Sequence, residues 1–480
     1  MIRFFVTRPD PCRFLYLLLC LFMVGSGPMA AAADLPDLAP DPRIREAARS
    51  ESLSFTELAE LSLWVSGVAG ADINSHLSRL EKLRSTLQAR LAGEQDLYRK
   101  GKRLLTLLHR RTLSGYSENQ SKMDVLLEDG VYNCVSSGVL YMVMASGLGL
   151  EVQGVIVPDH AFVSVMTAEG RVDVETTTEY GFDPGAVRNF NDTFMEMTGF
   201  RYLPPSDYEK REIIGKKQFV GLIYQNRIAM LQRKGDHRTA AALAVDHYIL
   251  DPGSREDLAG LLLNYINVLA GTKRYTEALT IIEQAEKRFD LKDEMSDAAS
   301  AIAVNAVLSH VEQGSFERAR RLLEDSAHLV RDAKASELSK LLLQKELQID
   351  EDKEVFSRFM EKVDAAVKSG RLTPEGAEDV YINLYLREMN RLVRQGKLAE
   401  PLFLLREANE DLQETQRFQQ LLETARSNGV AHYHNTAVSL MEENRFQRAL
   451  EVVEEGLVHI PDSDTLENDR RRLEESMGLR

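Results

Sequence analysis

Residues 130–148 read GVYNCVSSGVLYMVMASGL, and they give the strongest indication of the fold in the first half of the chain. Glycine and asparagine precede the cysteine, whereas a long apolar run follows it. The pattern predicts a loop that turns into a mostly buried helix, beginning at Cys134 and ending at Gly149. A helix N-terminus presents unpaired backbone N–H groups, so we expect the sulfur to lie where negative charge, including that of an oxyanion, is stabilised.

Three segments after this helix are predicted to be strands. They are rich in β-branched residues, and turn signals separate them at Pro158-Asp159 and Glu169-Gly170. The predicted strands are VQGVIV (152–157), AFVSVM (161–166) and VDVETTT (172–178). The sequence GFDPG (181–185) predicts a turn that closes the sheet. Helices followed by antiparallel strands predict an α+β fold.

The side chains needed for thiol chemistry occur together in this region, as Cys134, His160, Asp173 and Glu175. A thiol reacts as its thiolate, which a helix N-terminus or a nearby imidazolium favours. Asp173 and Glu175 are two apart and are expected to share a face of the strand after the one that His160 opens. A carboxylate beside the imidazole would fix its tautomer and stabilise its charge, and the spacing leaves open which carboxylate does so. For the cysteine considered alone, the alternative is packing in the core. For the histidine considered alone, the alternative is a position in a turn.

Two side chains before the cysteine are weaker candidates. Tyr116 and Gln120 lie in GYSENQ (115–120), where they would line the cleft or supply an oxyanion donor. The alternative is a capped loop.

Composition excludes several classes of function. The chain has 480 residues, a net charge of -15 and three cysteines, Cys12, Cys20 and Cys134. The acidic balance provides no basic excess for phosphates, so no nucleic-acid partner is expected. The cysteines are too few for a disulfide scaffold or a cysteine-ligated zinc cluster. His432 and His434 are two apart and do not share a helical face, and the sequence contains no phosphate-binding glycine loop. We therefore expect no metal and no cofactor.

Residues 1–33 are typical of an export signal. Arg3, Arg8 and Arg13 precede the apolar run FLYLLLCLFMV (14–24), and three alanines (31–33) supply a small-residue cleavage pattern. The alternative is a short membrane anchor, although the apolar run is short for spanning a bilayer. The pattern predicts a periplasmic or secreted protein without a stable membrane span after cleavage. Its remaining cysteine would be Cys134.

A degenerate motif recurs from about residue 218 almost to the end of the chain. It consists of glycine, any residue, an aromatic residue, two further residues and alanine, and its best copy is GSFERA (314–319). The other copies are KRYTEA (273–278), NRFQRA (444–449), and the weaker GDHRTA (235–240) and GKLAEP (396–401). The pattern predicts helix pairs stacked in a tetratricopeptide-like solenoid that binds a protein or peptide partner. The alternative is a plain helical bundle.

The segments YNCVSS (132–137), DHAF (159–162) and DVETT (173–177) resemble the transglutaminase-like cysteine superfamily, which shares the papain-like catalytic architecture. In that family a cysteine opens a helix, a histidine begins a strand, and an aspartate on the next strand precedes a Pro-Thr or similar pair. The resemblance implies that Glu175, which precedes Thr176-Thr177, orients the histidine. Glutamate departs from the family pattern by one methylene group, and Asp173 remains the alternative. Members include crosslinking enzymes, peptidases, amidases and inactive scaffolds.

The combined prediction divides the chain into four parts. They are a signal peptide (1–33), a helical N-terminal segment (34–111), a papain-like or transglutaminase-like α+β domain (112–217) and an all-α tetratricopeptide-like solenoid (218–480). The predicted function is a thiol-dependent hydrolase or acyltransferase for protein or peptide amides, in which Cys134 attacks and His160 transfers the proton. One alternative is a non-catalytic envelope scaffold with a degenerate cysteine domain. Another is a redox-sensing thiol. The predicted mature sequence has no resolving cysteine, which argues against this alternative.

Overall fold

The structure is a computed structural model that describes residues 38–158, 160–186, 190, 194–196, 211–349 and 355–479. The predicted signal peptide (1–33) and Asp159 lie outside these residues. The chain divides into two compact units, Met1–Met295 and Ser296–Arg480, and the boundary falls inside the predicted repeat region. None of the described helices is both long enough and apolar enough to cross a membrane.

The first unit combines helices with two small sheets. Its helices are α1 (Pro42–Arg49), α2 (Phe55–Ser66), α3 (Asp72–Leu91), α4 (Leu97–Arg111), α5 (Met123–Asp129), α6 (Cys134–Gly147), α7 (Lys216–Arg233), α8 (His237–Leu250), α9 (Arg255–Gly271) and α10 (Tyr275–Phe289). Its strands are β1 (Gly115–Tyr116), β2 (Val131–Tyr132), β3 (Val152–Val157), β4 (His160–Thr167), β5 (Gly170–Val174) and β6 (Glu212–Ile214).

Helix α6 begins at Cys134, as the sequence predicts, because Asn133 caps it. The side-chain oxygen of Asn133 accepts hydrogen bonds from the backbone N–H groups of Val135 and Ser136, both at 3.0 Å. In return, the hydroxyl of Ser136 accepts the Asn133 N–H at 3.0 Å, which completes a capping box. All side chains from Val135 to Ala145 are buried, so α6 is the central helix of the unit.

A four-stranded antiparallel sheet, in the order β5-β4-β3-β6, packs against α6 through its two central strands. The predicted first strand matches β3, but the third ends at Val174 rather than at Thr178. There the chain turns back, and Val174 forms an isolated bridge with Phe182. The predicted turn at 181–185 therefore does close the edge of the sheet. It leaves Glu175 immediately beyond the strand.

The ring of Phe219 on α7 fills the space between α6 and β3. A Cβ atom would lie 2.7 Å from this ring at Gly138 and 2.4 Å from it at Gly154, which is closer than real Cβ contacts allow. These two glycines therefore let the buried ring join helix and sheet.

The second unit consists of helices joined by turns and loops in its described residues. From the boundary onward the helices are α11 (Lys292–Glu312), α12 (Phe316–Asp325), α13 (Asp332–Ile349), α14 (Val355–Lys368), α15 (Pro374–Arg394), α16 (Glu400–Arg406), α17 (Glu410–Gln413), α18 (Gln416–Glu442), α19 (Phe446–His459) and α20 (Asp464–Ser476).

Each copy of the recurring motif lies at a junction between two helices. The first residue of every copy has a φ between 59° and 80°: Gly235, Lys273, Gly314, Gly396 and Asn444. A left-handed residue of this kind ends a helix. The last residue of every copy is buried in the helix that follows: Ala240, Ala278, Ala319, Pro401 and Ala449. The motif thus marks helix–turn–helix junctions, and its assignment to tetratricopeptide repeats stays a prediction.

Candidate active site

Cys134 is a free, partly exposed cysteine at the first position of α6. The prediction that unpaired N–H groups lie beneath its sulfur is wrong in part. Asn133 binds the N–H groups of Val135 and Ser136 through its side chain, and the Ser137 N–H through its carbonyl at 3.0 Å. An asparagine directly before the helix is a capping signal, and it accounts for the difference.

His160 opens β4 and forms a close, buried pair with Glu175. Its Nε2 lies 2.5 Å from Oε2 of Glu175, and the two side chains are 7% and 0% exposed. The other carboxylate oxygen, Oε1, accepts the N–H of Thr177 at 3.2 Å and its hydroxyl at 2.8 Å. Thr177 thus orients the carboxylate so that Oε2 faces the imidazole. Thr177 belongs to the segment that carries the family resemblance, but the sequence predicted no role for it.

Asp173, the alternative carboxylate, is bound by Arg211 instead. One arm of the guanidinium donates to Oδ2 of Asp173 at 2.8 Å, and the other donates to Oδ1. The guanidinium also lies over the ring of Phe162, 5.4 Å from its centroid. The two carboxylates differ in this way because β5 ends before Glu175, so they do not share one face of a strand. Nothing in the sequence signals Arg211, which lies 38 residues beyond its partner.

The charge on His160 is stabilised despite its burial. Burial lowers the pKa of the imidazole, but the Glu175 carboxylate and the nearby Cys134 outweigh it and raise the pKa to about 10. At neutral pH the histidine is therefore an imidazolium paired with the glutamate. This arrangement holds a proton and a positive charge near the sulfur of Cys134.

Apolar rings surround the imidazole. The buried ring of Phe194 lies edge-on to His160 at 5.5 Å, and Phe162 lies 6.0 Å away. Phe190 stacks on Phe194 at 5.5 Å. These rings keep most of the imidazole out of water, which strengthens the attraction between its charge and the carboxylate.

Tyr116 and Gln120 have different roles. The Gln120 side chain makes three hydrogen bonds to backbone groups, to the carbonyls of Lys122 and Val131 and from the Lys122 N–H, so it holds the loop. Tyr116 pairs with Tyr132 in the parallel β1–β2 ladder, and their rings meet edge-on at 6.1 Å. Burial and then the charge on Cys134 raise the pKa of Tyr116. Its phenol therefore keeps its proton at neutral pH.

No group of three or more metal-ligating side chains occurs among the residues that the structure describes. His434 bonds through Nδ1 to Asp469 at 2.6 Å, whereas the ring of His432 lies 5.4 Å from that of Tyr433.

Residues 74–182 match a protein-family model described as "Transglutaminase-like superfamily". The chain therefore carries a transglutaminase-like domain in an α+β setting. The match begins within the predicted helical N-terminal segment and ends at Phe182, beside the closing turn. It includes Cys134, His160 and Glu175.

The other comparisons add no argument. No curated protein matches the chain. One similar solved structure is described as "Crystal structure of menin reveals the binding site for Mixed Lineage Leukemia (MLL) protein". It is 14% identical, covers 73% of this chain and 94% of that chain, and has a TM-score of 0.28. At that TM-score the likeness supports no conclusion about fold or function.

Proposed function

We propose that this protein is a thiol-dependent hydrolase or acyltransferase that acts on amide bonds of proteins or peptides. The observation that carries the proposal is the buried pair of His160 and Glu175 beside Cys134. A buried imidazolium is costly unless a carboxylate compensates it, and here one does so at 2.5 Å. An imidazolium next to a sulfur favours the thiolate, which is the nucleophilic form.

The reaction follows from these positions. The thiolate of Cys134 attacks the amide carbonyl carbon, a C–S bond forms, and His160 donates its proton to the leaving nitrogen as the C–N bond breaks. Glu175 stays ionised and keeps the ring in place. The neutral imidazole then takes a proton from water or from an amine as that molecule attacks the thioester carbon. The C–S bond breaks, Cys134 leaves as its thiolate, and the thiolate–imidazolium pair is restored. Water gives hydrolysis, and an amine gives acyl transfer.

We further propose that the enzyme is exported and recruits its target through the recurring helix pairs. Export rests on the pattern of residues 1–33, which fits a periplasmic or secreted protein without a membrane span after cleavage. Partner binding rests on the repeated helix–turn–helix junctions, since stacked helix pairs build extended surfaces for protein or peptide ligands. The acidic chain favours such partners over nucleic acid.

Trapping of the acyl-enzyme tests this function. The protein is incubated at neutral pH with a complex peptide mixture, with and without a biotinylated primary amine, and is then quenched in acid. We expect mass spectrometry to find acyl adducts on the peptide containing Cys134, and to find hydrolysed or amine-modified peptides. Cys134→Ser is the matched control. Equal products from this variant would refute the proposed enzyme, and the absence of adducts and products with wild type would favour the scaffold alternative.

A further inference from the structure

The two residues after Glu175 are held by side chains from other parts of the domain. Nε2 of His109, on α4, lies 3.0 Å from the carbonyl oxygen of Thr176. The hydroxyl of Tyr132, on β2, donates to the carbonyl of Thr177 at 3.0 Å. A carbonyl oxygen only accepts, so Nε2 of His109 carries the hydrogen in this contact.

Both donors keep their protons at neutral pH. Burial lowers the pKa of His109, so its ring is neutral and the contact fixes the tautomer with hydrogen on Nε2. Burial and the nearby charge of Glu175 raise the pKa of Tyr132 to about 12. The two rings also meet edge-on at 5.8 Å, so they form one packed unit beneath the carbonyls.

The same segment is tied to the helix that carries the nucleophile. The hydroxyls of Thr176 and Ser137 are 2.8 Å apart, and Ser137 lies in the first turn of α6. The hydroxyl of Ser137 also donates to the carbonyl of Asn133 at 2.8 Å. The backbone that presents Glu175 is therefore fixed relative to the backbone that presents Cys134.

We propose that His109 and Tyr132 are positioning residues that aim the Glu175 carboxylate at His160 by holding the carbonyls of Thr176 and Thr177. In the reaction described above neither side chain has a chemical step; both act on the segment that follows Glu175. The carbonyl contacts restrain the turn on which Thr177 binds one carboxylate oxygen and leaves the other for the imidazole. The catalytic meaning of this role rests on the proposed function, whereas the aiming of the carboxylate does not.

Three variants of the full chain separate positioning from mere packing. His109→Phe and Tyr132→Phe each remove a donor and keep an aromatic ring. His109→Gln keeps an amide N–H near the position of Nε2 and serves as the rescue. Titration of His160 by NMR, with ¹⁵N-labelled histidine and assignment through His160→Gln, reports its pairing with Glu175. The alkylation rate of Cys134 at pH 6 is followed on the same samples by peptide mass spectrometry.

We expect both Phe variants to lower the pKa of His160. We also expect them to slow alkylation of Cys134 about fivefold, which is the effect of losing the net free energy of one hydrogen bond. The Gln variant should stay close to wild type in both measurements. Wild-type titration of His160 in folded His109→Phe and Tyr132→Phe would overturn the proposal, as would equal losses in the Phe and Gln variants of His109. If His160 titrates as expected while Cys134 shows no enhanced reactivity in any chain, positioning stands and the proposed enzyme fails.

Discussion

Oε2 of Glu175 lies 2.5 Å from Nε2 of His160, and neither side chain is more than 7% exposed. Such a pair is strongly coupled because little water screens it. Removing one partner of a buried pair typically costs about 3–5 kcal/mol, since it leaves an uncompensated charge. The pair also sets the protonation of the histidine beside Cys134, so structure and chemistry depend on the same contact.

The two acidic residues of the predicted site should respond differently to neutralisation. Glu175→Gln removes the charge that faces His160, and we expect alkylation of Cys134 at pH 6 to slow by about tenfold or more, because the imidazolium that favours the thiolate loses its buried partner. Asp173→Asn should leave that rate within about twofold, and it should lower the free energy of unfolding by about 1–3 kcal/mol because Arg211 loses its charged partner. A larger kinetic effect at Asp173 than at Glu175 would reverse this assignment.

Gly181 is predicted to be essential for the position of Glu175. A Cβ atom at this glycine would lie 1.9 Å from the Glu175 carbonyl oxygen, so the backbone must move. We expect Gly181→Ala to destabilise the domain by about 1–3 kcal/mol and to slow alkylation of Cys134. Gly185→Ala is the matched control, because a Cβ there meets nothing within 4 Å. Similar behaviour of the two variants in thermal unfolding and alkylation would show that this contact does not matter.

The raised pKa of His160 links stability to pH. In the unfolded chain the imidazole titrates near pH 6.5, whereas in the folded protein its pKa is raised to about 10. The contribution is therefore complete below about pH 6.5 and is lost as the pH rises through the folded value. We expect the free energy of unfolding, measured by chemical denaturation, to fall between about pH 7 and pH 10. His160→Gln should lose part of this slope, and an unchanged slope would argue against the buried imidazolium.

The junctions of the recurring motif offer a test in the helical region. Lys273 has a φ of 59°, a conformation that glycine adopts without strain. Relief of the left-handed strain exceeds the added entropy of glycine in the unfolded chain, so we expect Lys273→Gly to raise the free energy of unfolding by about 0.5–1 kcal/mol. Lys287→Gly, in the last turn of α10, should instead lower it by up to about 1 kcal/mol. Lower stability of Lys273→Gly would mean that the lysine side chain makes a stabilising contact.

Local patterns in the sequence predicted much of the site. The polar loop before an apolar run located the start of α6 at Cys134, and β-branched segments located β3 and β4. The pair of threonines after Glu175 favoured that carboxylate through the family resemblance. The predicted start of the helix and the two predicted strands agree with the structure, because caps, strands and turns are determined largely by residues close together in the chain.

Contacts between distant segments could not be predicted in the same way. Arg211 binds Asp173 across 38 residues, and His109 binds the Thr176 carbonyl across 67. Nothing in the pattern around either residue specifies its partner, because the partner depends on which segments meet in the fold. The occupied N–H groups at the start of α6 could have been predicted from the sequence, because an asparagine directly before a helix is a capping signal.

The rate at which iodoacetamide alkylates Cys134 distinguishes an activated thiol from an ordinary one. The rate is measured from pH 6 to pH 10 on wild type and His160→Ala, by mass spectrometry of the Cys134 peptide, with denatured wild type as the reference for an ordinary thiol. We predict that wild type reacts about tenfold or more faster than His160→Ala at pH 6, and that the difference closes toward pH 10 as ordinary thiols ionise. Equal rates for the two proteins at pH 6 would contradict an activated Cys134–His160–Glu175 site.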